Sequence, residues 1–185
     1  MVVLVAVGHA DRDALLAFEL ANRAFFDASV TPRAAAYYAQ EGVRQAIDAA
    51  LADAAADRAY QFLVKSPAGA ILGRINLREV VRGPSPSAML GYRIGEDQLR
   101  KGYASAAVRA VLAIAFGDLG LRLVVAGARA TNPGSIAVLL RNGFTRRGGQ
   151  QDTVLLNGVE HAHWYFERRH EPPQFAPANG ISRPL

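Results

Sequence analysis

Leu99, Arg100, Lys101, Gly102, Tyr103 and Ala104 form a basic glycine turn that leads into the most helix-like stretch of the chain. From Gly102 to Leu119 the apolar rows Tyr103, Ala107, Val111, Ala115, Leu119 and Ala104, Val108, Leu112, Phe116 recur at four-residue spacing, which predicts one broad buried helical face. Arg100 and Lys101 stand where the helix dipole is already positive, and no acidic residue in the first turn balances them. Free backbone N–H groups at a helix start, a glycine that admits close main-chain approach and two cations describe a phosphate or pyrophosphate cradle. The same six residues also read as a solvated basic turn ahead of a core helix.

The elements that must position this turn follow from periodicity and punctuation. Val2 to Val7 reads as a strand, and Asp11 as the cap of a helix through about Ala24. Thr31 and Pro32 open another helical stretch, and Glu41 to Ala56 a further one. Asn22, Arg23, Phe25, Phe26, Arg33, Tyr37 and Tyr38 give the intervening segment an aromatic and basic density that suits either a substrate groove or the anchoring of helices to a core. Tyr60 to Lys65 and Ala70 to Leu77 make a hairpin around Ser66-Pro67-Ala68-Gly69, and a strand from about Ala88 to Ile94 enters the basic turn. After the long helix, Leu123 to Ala128 reads as a buried strand. A short helix then runs from Asn132-Pro133 to Asn142-Gly143. Strands near Gln150 to Leu156 and Val159 to Arg168 join at Asn157-Gly158, a type I′ turn signal. The expected organisation is one domain over residues 1–169 and a proline-rich, weakly structured tail over 170–185.

Composition narrows the chemistry. With 185 residues, 51% hydrophobic and 20% charged, the chain is long enough to bury roughly 70% of its unfolded surface in one core. It has no cysteine, which excludes disulfides, thiolate metal sites and a cysteine nucleophile, and its four scattered histidines have no metal-ligand spacing. The Val2 to Val7 run is too short to span a membrane, and the expected setting is cytoplasmic. A net charge of +5, diffuse and carried mostly by arginine, favours acidic ligands. There is no arginine-rich block with interleaved aromatics to indicate nucleic acid. Neither G-x-x-x-x-G-K-[ST] nor a G-x-G-x-x-G after an early strand is present, so nucleotide hydrolysis and hydride transfer drop out.

The order of a strand ending Gly91-Tyr92-Arg93-Ile94, a basic glycine turn, a long helix, an apolar strand, Asn132 and a Gly143-Phe144 helix exit resembles the GNAT N-acetyltransferase superfamily. Within it, the chain is similar to the RimJ/RimL branch of ribosomal-protein-alanine N-acetyltransferases over roughly residues 8 to 168. The resemblance implies an α/β (α+β) fold: a mixed, mostly antiparallel central sheet flanked by helices, with a parallel pair splayed at the acyl-CoA site. It places the acyl-CoA motif R/Q-x-x-G-x-G/A on Leu99, Arg100, Lys101, Gly102, Tyr103 and Ala104, with Leu99 where Arg or Gln is usual. By the same resemblance, main-chain amides of Tyr92, Arg93 and Ile94 lie along the pantetheine arm and polarise the thioester carbonyl. Asn132 binds the arm from the other side. The implied activity is transfer of an acetyl group from acetyl-CoA, as co-substrate, to a primary amine by direct attack, with no metal.

Many members of the superfamily carry a tyrosine as thiolate proton donor where this chain has Leu139, and the RimJ/RimL serine falls on Ser135, the candidate donor. Ser135 also suits a helix-start hydroxyl that satisfies a backbone group. Glutamates common on the two central strands fall on Met89 and Val125, so no carboxylate base is assigned, and water is left to carry the proton. Glu79, Glu96, Asp97, His161 and His163 read as surface or structural residues. Asn22, Arg23, Phe26 and Tyr38 are the expected acceptor contacts. Without a strong base, an α-amino acceptor such as a protein N-terminus is favoured. A small-molecule amine or antibiotic, or a catalytically silent acyl-CoA-binding module, is the alternative, and a homodimer is left open.

Overall fold

Buried and part-exposed residues alternate along the apolar segments, and in the computed structural model, which describes residues 1–156 and 158–170, these segments pair into a seven-stranded sheet of order β1-β2-β3-β4-β5-β7-β6. The strands are β1 (Val3–Ala6), β2 (Tyr60–Lys65), β3 (Ile71–Val81), β4 (Ser87–Ile94), β5 (Leu123–Arg129), β6 (Thr145–Leu156) and β7 (Val159–Arg169). The helices are α1 (Arg12–Ala21), α2 (Arg23–Ser29), α3 (Gln40–Ala55), α4 (Tyr103–Ala113) and α5 (Pro133–Arg141). All neighbouring strands run antiparallel except β4 and β5, which are parallel. The expected mixed sheet, with hairpins at both ends and a parallel pair beside the long helix, is the one observed.

Strand alternation sends side chains to two cores. Ile75, Leu77, Leu90, Val124, Ala126 and Phe166 pack on one face with Val108, Val111 and Leu112 of α4 and Leu139 of α5. Leu63 on the opposite face joins Leu15, Phe18, Val43 and Ile47 of α1 and α3. On that second face Met89, Gly91, Val125, Gly127, His163 and Tyr165 remain partly exposed. This stretch of β4, β5 and β7 is therefore an open floor beside the helices.

Several boundaries differ from the sequence reading. Asp11 makes no side-chain cap; its carboxylate takes Lys65 Nζ at 2.6 Å instead, from 54 residues away. The first helix breaks at Asn22 because that side chain donates from Nδ2 to Phe18 O and accepts Glu96 N at Oδ1. Thr31 and Pro32 lie outside any helix or strand, and only a 3₁₀ turn over Ala35–Tyr38 follows. The long helix ends in a π turn, Ile114–Asp118. Strand β6 starts at Thr145, earlier than expected, with its register to β7 interrupted between Arg146 and Gln151. The last hairpin closes with Leu156 opposite Val159; Asn157 of its turn and residues 171–185 of the expected tail lie outside the described residues. Among the described residues, no helix is long and apolar enough to cross a membrane, and no group of His, Asp and Glu could hold a metal ion.

Candidate active site

The site begins where the parallel ladder ends. Strands β4 and β5 pair from Ser87 with Leu123 to Leu90 with Ala126, yet β4 runs on to Ile94 and β5 to Arg129. Beyond Leu90 the two strands part, and Gly91 to Ile94 keep only β3 as a partner. Main-chain groups that no neighbour satisfies line the gap, which is the place the sequence reading gave to Tyr92, Arg93 and Ile94.

The basic turn sits at the start of α4. Arg100 (φ 59°) and Gly102 (φ 80°) are both left-handed, so the chain folds into a small concavity around Lys101. The first intrahelical bond is Ala106 N to Gly102 O, which leaves earlier amides free. A Cβ on Gly102 would meet nothing within 4 Å, so the glycine borders open space. Leu99 is 41% exposed and keeps its backbone extended, consistent with a turn that binds through main chain. Lys101 Nζ rests on Gln98 Oε1 at 3.2 Å. Free amides, a positive helix end and an open glycine fit a pyrophosphate. Tyr103 and Ala104 continue into the first turn of α4 and pack against the larger core.

Ser135 and Asn132 come from α5. Asn132 Oδ1 accepts Ser135 N at 2.9 Å, so this carbonyl caps the helix and only Nδ2 remains for a ligand. Ser135 Oγ lies 2.9 Å from the Tyr92 hydroxyl, and that hydroxyl is also 3.3 Å from Ser135 O. Burial pushes the Tyr92 phenol above its usual range, against a smaller lowering by Ser135, so it stays protonated at neutral pH. The side chain of Tyr92 was not anticipated from sequence, where only its backbone was assigned. Leu139, at the position of the usual tyrosine, is fully buried in the core.

Across the gap, on the open floor, Asn76 lies over Gly91 and the His163 ring over Gly127. Asn76 Oδ1 and His163 Nδ1 are buried and have no hydrogen-bond partner. Burial holds the His163 imidazole below its ordinary 6.5; Asp152 opposes this, and Arg129 and Arg78 add to it. His163 is thus half-buried beside the gap rather than on the open surface. An isolated glycine inside each strand was the signal available in the sequence.

The expected acceptor contacts divide. Arg23 lies 4.2 Å above the Tyr38 ring and 3.5 Å from Asp27, which also accepts the Tyr38 hydroxyl at 3.3 Å, so these side chains form one surface cluster. Phe26 is 2% exposed and belongs to the second core, where Arg93 covers its ring at 4.9 Å; burial leaves it no face for a ligand. Asn22 spends both polar atoms on the chain, tying α1 to the turn before α4. Beneath them Glu19, fully buried, takes Arg74 Nη1 at 2.5 Å and faces Arg93 at 3.7 Å, and Arg74 also donates to Tyr37 and Gln61.

A parted parallel pair, a free helix start beside it and a hydroxyl pair beneath them suit a thioester held by its backbone. The family described as Acetyltransferase (GNAT) domain matches residues 2–145. The chain is 32% identical over 154 residues to Probable N-acetyltransferase YjcK of Bacillus subtilis, covering 83% of this chain and 85% of that one. Its fold is similar to the ribosomal-protein-S5-alanine acetyltransferase of Vibrio fischeri, with a TM-score of 0.85 at 20% identity over 91% of this chain and 92% of that one. It is also similar to Mycobacterium smegmatis RimJ solved with CoA-disulfide, with a TM-score of 0.81 at 23% identity over 91% and 81%. With that match and that geometry, the chain belongs to the GNAT acetyltransferases, which take their acetyl group from acetyl-CoA.

Proposed function

We propose that this acetyltransferase modifies the α-amino group of a protein or peptide N-terminus. One observation carries the reading: on the open floor, the residues of the two parted strands are Met89, Gly91, Arg93, Val125, Gly127 and Arg129, none of them a carboxylate, while Glu167 and Asp152 farther out are held by Arg147 and Arg169 and by the Tyr165 hydroxyl. An α-amine with pKa near ~8 is about 10% neutral at pH 7, whereas a lysine near ~10.4 costs roughly 4.6 kcal/mol to deprotonate. The positive field of Arg93 and Arg129 lowers the pKa of a bound amine further. The name of the Vibrio fischeri structure, a ribosomal-protein-alanine acetyltransferase, supports the same acceptor class.

In this reading, the amides of Tyr92 to Ile94 polarise the thioester carbonyl, and the turn from Leu99 to Ala104 holds the pyrophosphate. Asn132 Nδ2 steadies the arm, and the Tyr92–Ser135 pair protonates the departing sulfur. The test compares a peptide with a free N-terminus and blocked lysine against one with a blocked N-terminus and free lysine, at pH 6 to 9. Faster acetylation of the first peptide is expected. Faster acetylation of the second throughout the range defeats the proposal.

A further inference from the structure

Gly91 and Gly127 follow directly on Leu90 and Ala126, the last pair of the parallel ladder, so they face each other at the mouth of the gap. Each position is overlain by a polar side chain from the next strand outward. A Cβ at Gly91 would sit 2.8 Å from Asn76 Oδ1, and one at Gly127 would collide with the His163 ring. Neither glycine can be replaced without displacing its neighbour. Asn76 Oδ1 and His163 Nδ1 are nonetheless buried and unsatisfied by the chain. A buried acceptor without a donor is costly, and two of them at one opening call for a ligand rich in N–H groups. A primary amine is such a ligand.

We propose that Asn76 and His163 form the acceptor clamp: Asn76 Oδ1 holds one N–H of the amine, and His163, protonated on Nε2, takes at Nδ1 the proton that the nitrogen loses. The neutral amine attacks the thioester carbon. As the C–N bond forms and the C–S bond breaks, nitrogen gives one proton to His163 and the thiolate takes one from the Tyr92–Ser135 pair; solvent restores both. The groups facing the imidazole are Arg129 on β5, Arg78 on β3, and Asp152 on β6, whose carboxylate already accepts the Tyr165 hydroxyl at 2.8 Å. Burial, aided by Arg129 and Arg78 and opposed by Asp152, leaves the ring neutral at pH 7, a weak base for a primary amine. The clamp rests on acetyl transfer to a primary amine and is independent of the α-amine preference.

The experiment measures thiol release by wild type, His163→Gln and Asn76→Ala with the two blocked peptides and with spermidine. On whichever amine is used best, His163→Gln lowers kcat by about 10²-fold or more and removes the acid limb of the kcat/KM profile. Asn76→Ala raises the amine KM with a smaller change in kcat. Both variants keep the wild-type thermal shift with CoA. A His163→Gln enzyme within about twofold of wild-type kcat and with an unchanged pH profile overturns the clamp; a preference for the lysine peptide overturns only the α-amine reading. An NMR titration of the His163 Cε1 proton, in CoA and with glycinamide as probe, reports independently of turnover. A midpoint below 6.5 that moves with glycinamide supports the clamp, and a midpoint that does not move overturns it.

Discussion

The Tyr92 hydroxyl lies 2.9 Å from Ser135 Oγ, joining the free end of β4 to the first turn of α5 beneath the gap between the parallel strands. Neither residue alone is a strong acid. In the proposed mechanism the pair supplies the proton that the departing thiolate takes, with a hydrogen-bonded route to replace it.

Ser135→Ala and Tyr92→Phe are each expected to lower turnover by about 10²-fold with little change in the affinity for acetyl-CoA. If the two hydroxyls act as one unit, the double variant should lose hardly more than either single one. Rates are measured where chemistry is limiting. Full activity in Ser135→Ala shows the serine to be structural.

CoA at about 100 times its dissociation constant should raise stability by about 2.7 kcal/mol, read as a thermal shift. Gly102→Glu should abolish the shift, since it places a carboxylate in the cradle. Because Gly102 has φ 80°, any L-residue there also strains the backbone, and Gly102→Ala is the control. The alanine variant should melt earlier than wild type but still respond to CoA. No response of the wild type at millimolar CoA refutes the cradle.

Glu19→Ala should be severely destabilising. Glu19 is fully buried and Arg74 is 11% exposed, so the change leaves a buried guanidinium with only neutral partners, Tyr37 and Gln61, and with Arg93 nearby. Breaking a buried pair from one side costs about 3–5 kcal/mol. Urea unfolding measures it. A loss under about 1 kcal/mol would mean that water reaches Arg74 in the variant.

Asp57 links the α3–β2 turn to the strand ends through Arg82, which donates to both carboxylate oxygens and to Leu119 O. Arg82 first, then the Tyr60 hydroxyl, lower its pKa from 3.8 to about 2. The folded value lies below the unfolded one, so this stabilisation is complete above the ordinary carboxylate range and is lost as pH falls through about 2. Melting temperatures of wild type and Asp57→Asn should therefore differ most at neutral pH and converge below about pH 3. A constant difference down to pH 2 contradicts the linkage.

How much of this was legible depended on how local each cause is. The helical rows after Gly102, the Ser66–Gly69 turn and the Asn132-Pro133 start are short-range signals, and the elements they mark are present. Asp11 misled because Lys65, distant in sequence, outcompetes the backbone for its carboxylate. Phe26 resembled a groove aromatic until the packing of α2 showed which face it turns inward. For Tyr92 the motif pointed to a backbone role and gave no sign of the hydroxyl partner, which requires α5 to lie over β4. His163 and Asn76 were hidden because their significance depends on Gly127 and Gly91, each on another strand.

The parallel ladder of four residue pairs is shorter than its neighbours, with seven pairs between β3 and β4 and seven between β5 and β7. It is also the line along which the first four strands meet the last three. The interior of the sheet is therefore not uniform, and among its central strands the least protected amides should lie along that ladder in hydrogen exchange. A ligand seated in the opening touches both leaves at once. CoA should slow exchange in β4 and β5 together, turning two panels hinged at a short seam into one stiffer plate.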